Sequence, residues 1–255
     1  DGLGKHFDWL SGWHSQYGQD QKIMKWLYSE RVSDEQFYDL TGDEPRKGVF
    51  IELGAGDGWD KSNSLAFEEK LGWTGLLIEA SPSLYSQLQQ NRPNATCVRA
   101  CAAGSAIEKV FAEDGLSGGT TAIQLQNENS TWISVTCQSL SSLIDMHLGD
   151  RGSNIDYLSL DVEGSELEIL RSFNFHKHKV DVISIEVPDF LPEIMYKRLS
   201  KLLIRNGYRF LERIVIDEIW VRRRGLHPDP SCMLPLVELQ TFPPITPSGG
   251  WGGLR

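Results

Sequence analysis

The sequence predicts an α/β domain on a largely parallel sheet, with helices on both faces and one antiparallel strand near the edge. Three observations lead to it. Short apolar runs alternate with helical stretches through most of the chain. The runs are apolar throughout rather than every second residue, as strands read when both faces are covered. The last two strand-like segments, 207–216 and 218–223, are joined by a tight turn at Ile216-Asp217, which suggests an antiparallel member.

The elements follow in order. In the mixed lead, residues 1–47, Trp9 and Trp13 sit in loop-like sequence. Ile23, Trp26, Leu27 and Phe37 then recur at helical spacing and predict an amphipathic helix over about 19–29. Residues 49–53 are the first buried strand, a helix covers 63–71, and 76–79 are the second strand. Ser81 is placed to cap a helix reaching to 91, with Pro82 at its first position. Residues 96–102 read as one strand. The stretch 104–132 is irregular, with a glycine-rich loop at 114–119 between short strands. A helix at 140–147, a strand at 155–161, a helix at 165–173, a strand at 180–187 and a helix at 192–206 complete the alternation. The main domain is expected over 48–224, and the Pro- and Gly-rich tail, 225–255, reads as irregular.

Composition narrows the function. Of 255 residues, 40% are hydrophobic and 24% charged, which excludes disordered, collagen-like and coiled-coil chains. A net charge of −10 repels phosphate backbones and argues against broad nucleic-acid binding. Arg222, Arg223 and Arg224 form the only basic run and read as a solvated edge. No apolar run reaches the roughly 18 residues of a membrane span. The chain opens on Asp1 without a signal-peptide pattern, as a mature or trimmed fragment would.

Cys97, Cys101, Cys137 and Cys232 are too few for a disulfide scaffold, and no zinc pattern occurs. Cys97 and Cys101 lie too far apart along a strand to pair and are expected as free thiols. His176 and His178 flank Lys177 in a polar turn and are expected at the surface. Two glycosylation sequons, at Asn94 and Asn129, lean the protein toward a secretory route over the cytoplasm.

The strongest chemical signal is the run Glu52-Leu53-Gly54-Ala55-Gly56-Asp57-Gly58. A strand enters a turn of alternating glycines, where backbone can approach a ligand that side chains would block. The dinucleotide fingerprint is broken, because Trp59 stands in place of its third glycine, so a nicotinamide dehydrogenase does not fit. No phosphate-binding loop follows. Gly-x-Gly-x-Gly after an acid is instead the pattern of S-adenosylmethionine (SAM) methyltransferases. Glu79, followed by Ala80, ends the second strand and is placed to accept both ribose hydroxyls. Asp161 ends another buried strand on the same edge, with Glu163 and Glu166 close by. Mutual repulsion there should raise carboxyl pKa values. Glu186 ends the next strand, beside Asp161. Together these acids could bind a divalent metal or orient a substrate hydroxyl.

The chain resembles the FkbM family of SAM-dependent methyltransferases. The matching blocks are 15–20, 50–58, 71–79, 82–85 with 91–93, and 156–168, in family order. The resemblance implies a class I methyltransferase fold, Rossmann-like, with a seven-stranded sheet whose last strand is inserted antiparallel. It implies SAM held by Glu52, Gly54, Ala55, Gly56, Asp57, Glu79, Ala80 and Asp161. Gln19 and Asp20 would fold back over that pocket, and Cys101 and Ala102 would lie near the adenine. It further implies O-methylation of a sugar, glycan or small metabolite. Two departures stand out. Val187-Pro188 follows Glu186 where many members carry His or another polar residue, and the lead and tail differ from short bacterial members.

On this reading Asp161 accepts or orients the acceptor proton, while Glu163 and Glu186 hold geometry or a Mg²⁺-like ion. The alternative is a non-catalytic domain similar to the animal Star-like proteins, which act in membrane trafficking of signalling precursors. The intact glycine turn and both strand-end acids favour the enzyme. The acceptor and the oligomeric state leave no mark in the sequence.

Overall fold

The computed structural model describes residues 12–31, 47–112, 132–189 and 191–223. Phe37, Asn129 and the tail 225–255 lie outside them. Six α-helices and ten strands are described: α1 (Gln19–Arg31), β1 (Val49–Leu53), α2 (Leu65–Leu71), β2 (Thr74–Glu79), α3 (Pro82–Asn91), β3 (Thr96–Arg99), β4 (Cys101–Ala102), β5 (Ile107–Ala112), β6 (Trp132–Gln138), α4 (Leu140–Leu148), β7 (Asn154–Leu160), α5 (Glu166–Ser172), β8 (Lys179–Glu186), α6 (Glu193–Arg205), β9 (Tyr208–Ile214) and β10 (Asp217–Arg222).

Seven strands form one sheet in the order β3-β2-β1-β7-β8-β10-β9. β10 runs antiparallel to both of its neighbours, and the other described pairings of this sheet are parallel. The apolar runs are explained by two cores, one on each face. Ile51, Leu53, Leu76, Ile78, Leu158 and Leu160 pack with residues of α4, α5 and α6. The intervening Phe50, Leu77 and Tyr157 pack on the other face with Ile23, Phe67 and Leu88 of α1, α2 and α3. Successive side chains of one strand thus enter opposite layers, and no polar face is left for alternation to show.

The chain moves outward from β1 to β3 and returns to β7 on the other side of β1. That reversal leaves a crevice at the carboxyl ends of β1 and β7, where open α/β sheets bind ligands. β4, β6 and β5 make a second, small sheet.

Several expectations need correction. The strand expected over 96–102 breaks at Ala100. β3 stays in the large sheet, and β4 leaves it to pair with β6 at Cys101↔Cys137. Those two cysteines form a disulfide, so Cys101 is not a free thiol. Only Cys97 is free among the described residues. The short strands expected on either side of the 114–119 loop are β5 and β6, and the loop itself lies outside the described residues.

α2 starts at Leu65, and Ser62, Asn63 and Ser64 before it are tied to Glu52. The β9–β10 turn is Val215-Ile216, with Val215 left-handed (φ 56°), so Asp217 is a paired strand residue. His178 is buried rather than at the surface, its Nδ1 2.8 Å from the Gly152 carbonyl oxygen. Arg222 is not simply solvated, since it donates to Asp181 at 2.6 Å. No helix among the described residues is long and apolar enough to cross a membrane.

Candidate active site

The glycine turn is shaped by what surrounds it. Gly54 is left-handed (φ 72°), and a Cβ there would collide with the Asp161 carbonyl oxygen. Only glycine lets the end of β1 pass so close to the end of β7. Gly56 is also left-handed (φ 57°), but no atom lies within 4 Å of where its Cβ would be. That flank is open to a ligand. The Gly56 N–H donates to Glu79 Oε2 at 2.8 Å, and the Ser81 N–H donates to Oε1 at 2.7 Å. Burial raises the Glu79 carboxyl above its ordinary range despite these bonds.

The loop after the turn is held from inside. Buried Glu52 accepts from the Ser62 hydroxyl (2.9 Å), the Asn63 N–H (2.7 Å) and the Ser64 hydroxyl (2.5 Å). Arg92, 1% exposed, donates to the Gly58 carbonyl and to Ser62 and Ser64, and pairs with Glu68 at 2.7 Å. Every strong donor of this buried cation faces an acceptor, as burial of a charge demands.

A cavity of about 180 Å³ opens at the crevice. Its walls include Gln19, Glu52, Gly54, Ala55, Gly56, Asp161 and Glu186, all expected from the sequence. Oxygens of Asp161, Glu163 and Glu186 lie within 4.8 Å of one another, a spacing that divalent-cation ligands also have. Burial first, then the Glu163 charge, pushes Asp161 up to about 7. Burial and the Asp161 charge push Glu186 up to about 8. The two carboxyls therefore ionise in linked steps rather than independently. Oε2 of Glu186 and Oδ1 of Asn63 are buried without a hydrogen-bond partner.

Residues that sequence reasoning missed complete the walls. Asp217 faces Glu186 across the β8–β10 ladder and lines the cavity. The Gln19 amide donates to it at 2.5 Å, while the Gln19 carbonyl accepts from the Tyr17 N–H at 2.9 Å. Asn63 and Lys61 also line the cavity. A charged pair, Asp217-Glu218, opening an otherwise apolar strand was the available signal.

Other expected residues sit elsewhere. Asp20 is fully buried and spends its carboxylate on the N–H groups of His14, Ser15 and Gln21 and on the Ser15 hydroxyl. It shapes the 15–20 turn and does not face the cavity. Asp57 accepts from the Trp59 and Asp60 N–H groups and likewise braces its own turn. Cys101 has its sulfur in the disulfide, and Ala80, after β2, and Ala102, the last residue of β4, are outside the cavity walls. Glu166 accepts from the Val162 and Gly164 N–H groups and caps the turn before α5. A larger cavity, about 430 Å³, lies between β3, β6 and α4, but it contains neither the glycine turn nor the acids.

No curated protein sequence matches the chain. Among solved structures it is similar to the methyltransferase FkbM of Methylobacillus flagellatus KT, at 14% identity and a TM-score of 0.45. That alignment covers 69% of this chain and 43% of the other, so the chain spans less than half of that protein's length. It is similar to a human methyltransferase 10 domain containing protein at 11% identity and a TM-score of 0.41, with 80% of each chain covered. It is also similar to the ribosomal protein L11 methylase of Lactobacillus delbrueckii subsp. bulgaricus, at 12% identity and a TM-score of 0.37, covering 80% and 79%. The methyltransferase FkbM domain profile matches residues 52–210, from the acid before the glycine turn to the last strand pair. The chain belongs to the FkbM methyltransferase domain family.

Proposed function

We propose that the protein is a SAM-dependent methyltransferase acting on a hydroxyl of a sugar, glycan or small metabolite. The observation that carries this reading is one cavity lined by both an open glycine turn and the strand-end acids Asp161 and Glu186. SAM, when bound, supplies a methyl group on a sulfonium.

The residues present fit such a ligand. The open flank at Gly56 admits it, and Glu79 keeps acceptor capacity for ribose hydroxyls beyond its two backbone bonds. The acids of the cavity favour a positively charged ligand. Asp161, at the cavity wall, is the base. With SAM bound, Asp161 would accept the acceptor hydroxyl's proton as that oxygen takes the methyl group. A carboxylate raised to about 7 is well matched to that task near neutral pH. Gln19 and Asp217 hold the facing wall. A Mg²⁺-like ion, if used, would be held by Asp161, Glu163 and Glu186 and would lower the hydroxyl pKa.

Calorimetric titration with SAM and with S-adenosylhomocysteine, repeated on Glu79→Ala, tests the proposal. Saturable binding that the variant loses supports it and opens a screen of sugar hydroxyls. A folded protein that binds neither compound would return the reading to a non-catalytic interaction domain.

A further inference from the structure

The turn between α3 and β3 carries Asn94-Ala95-Thr96, an acceptor pattern for asparagine-linked glycans. Asn94 is exposed in that turn, and Thr96 is the first residue of β3. By itself a sequon is weak evidence, because short patterns recur by chance.

An independent observation points to the same place. Cys101 and Cys137 face each other in the β4–β6 ladder with Cα atoms 4.5 Å apart, joined as a disulfide. Cys137 is fully buried and Cys101 nearly so. Disulfides form and persist in oxidising compartments and are rare where thiol pools keep cysteines reduced. Cys97, the free thiol among the described residues, is half-buried, and burial raises its pKa, which makes it a poor competitor for exchange. An internal disulfide and an exposed sequon call for one environment: a lumen holding both thiol-oxidising catalysts and a glycan donor.

We propose that Asn94 is an N-glycosylation site, modified in the secretory lumen where the Cys101–Cys137 disulfide forms. In the transfer, the Asn94 amide nitrogen bonds to C1 of an oligosaccharide carried on a lipid diphosphate. The C1–oxygen bond breaks, the lipid diphosphate leaves, and the amide proton passes to a base of the transferring enzyme. Disulfide formation removes two electrons and two protons from the thiols, and a disulfide-exchange catalyst takes the electrons.

The position suits a glycan. Asn94 precedes the amino end of β3, whereas the glycine turn, Glu79 and Asp161 lie at carboxyl ends of parallel strands. A glycan there leaves the catalytic edge clear. β3 is also the outer strand of the large sheet among the described residues. This inference does not depend on methyl transfer.

The test uses the full-length gene product, isolated without an added leader from cells that make it. It is digested without reduction, treated with an N-glycosidase in ¹⁸O water and mapped by mass spectrometry. The expected result is ¹⁸O-labelled Asp at position 94 and a linked peptide pair containing Cys101 and Cys137. An Asn94 peptide recovered unmodified overturns the site, whatever the state of the cysteines. If Cys101 and Cys137 are also found as free thiols, the luminal compartment falls with it.

Discussion

Gly54 and Asp161 are in backbone contact: the space where a Gly54 Cβ would stand is filled by the Asp161 carbonyl oxygen. The cofactor turn and the proposed base are therefore fixed relative to each other by main chain, across the point where the sheet reverses. Gly54→Ala should cost about 2–4 kcal/mol from left-handed strain and overpacking. The melting temperature should fall by on the order of 5–10 °C, with SAM affinity lost as well. A variant with unchanged melting and binding would show that the contact is not required.

Asp161→Asn keeps the size of the side chain and removes the base. Turnover should fall about 10²–10⁴-fold with little change in SAM affinity. Equal turnover in single-turnover assays of the two proteins would remove Asp161 from the mechanism.

The acid pair makes cofactor binding depend on pH. Asp161 and Glu186 sit above their ordinary values of 3.8 and 4.5, at about 7 and about 8. In the ligand-free fold they hold protons that the unfolded chain has already released. The stability this supplies is complete below the ordinary carboxylate range and is lost as pH rises through 7 to 8. A sulfonium favours the ionised pair, so binding should expel a proton. SAM affinity should rise by up to about tenfold per pH unit in that range, more steeply than that of S-adenosylhomocysteine, whose sulfur is neutral. Parallel titrations of the two ligands from pH 6 to pH 9 check this, and identical slopes would count against charge pairing at the sulfur.

Chelation is expected to leave activity intact, because Asp161, raised to about 7, can take the acceptor proton without help from a cation. If EDTA abolishes turnover and Mg²⁺ restores it, the three carboxylates are cation ligands instead.

Arg92→Met leaves the largely covered Glu68 without its partner and frees the loop at Gly58 and Ser62. A loss of about 3–5 kcal/mol is expected from chemical denaturation. Arg92→Lys should lose less, since it restores the charge but not the planar fork.

The central strands were legible because burial on both faces leaves an unbroken apolar run, as in β1 and β2. Glu52, Gly54, Gly56, Asp161 and Glu186 were legible because each follows or ends such a run. What could not be read locally was pairing over long distance. Cys101 was weighed only against its near neighbour Cys97, while its partner Cys137 followed a stretch without clear period. Asp217 looked like turn sequence, and its tie to Gln19 spans 198 positions. Asp20 and Asp57 fitted the expected blocks, but short polar residues in turns commonly satisfy their own backbone, and both do so here.

That 198-residue tie also sets when the site can exist. The cavity takes wall residues from Gln16 at one end of the fold to Asp217 at the other. A growing chain assembles its inner strands well before β10 has been made, yet has no closed pocket until then. Ligand affinity thus reports that the chain has reached β10: a chain clipped before the β9–β10 hairpin can retain much of its core and still lack a wall of the pocket.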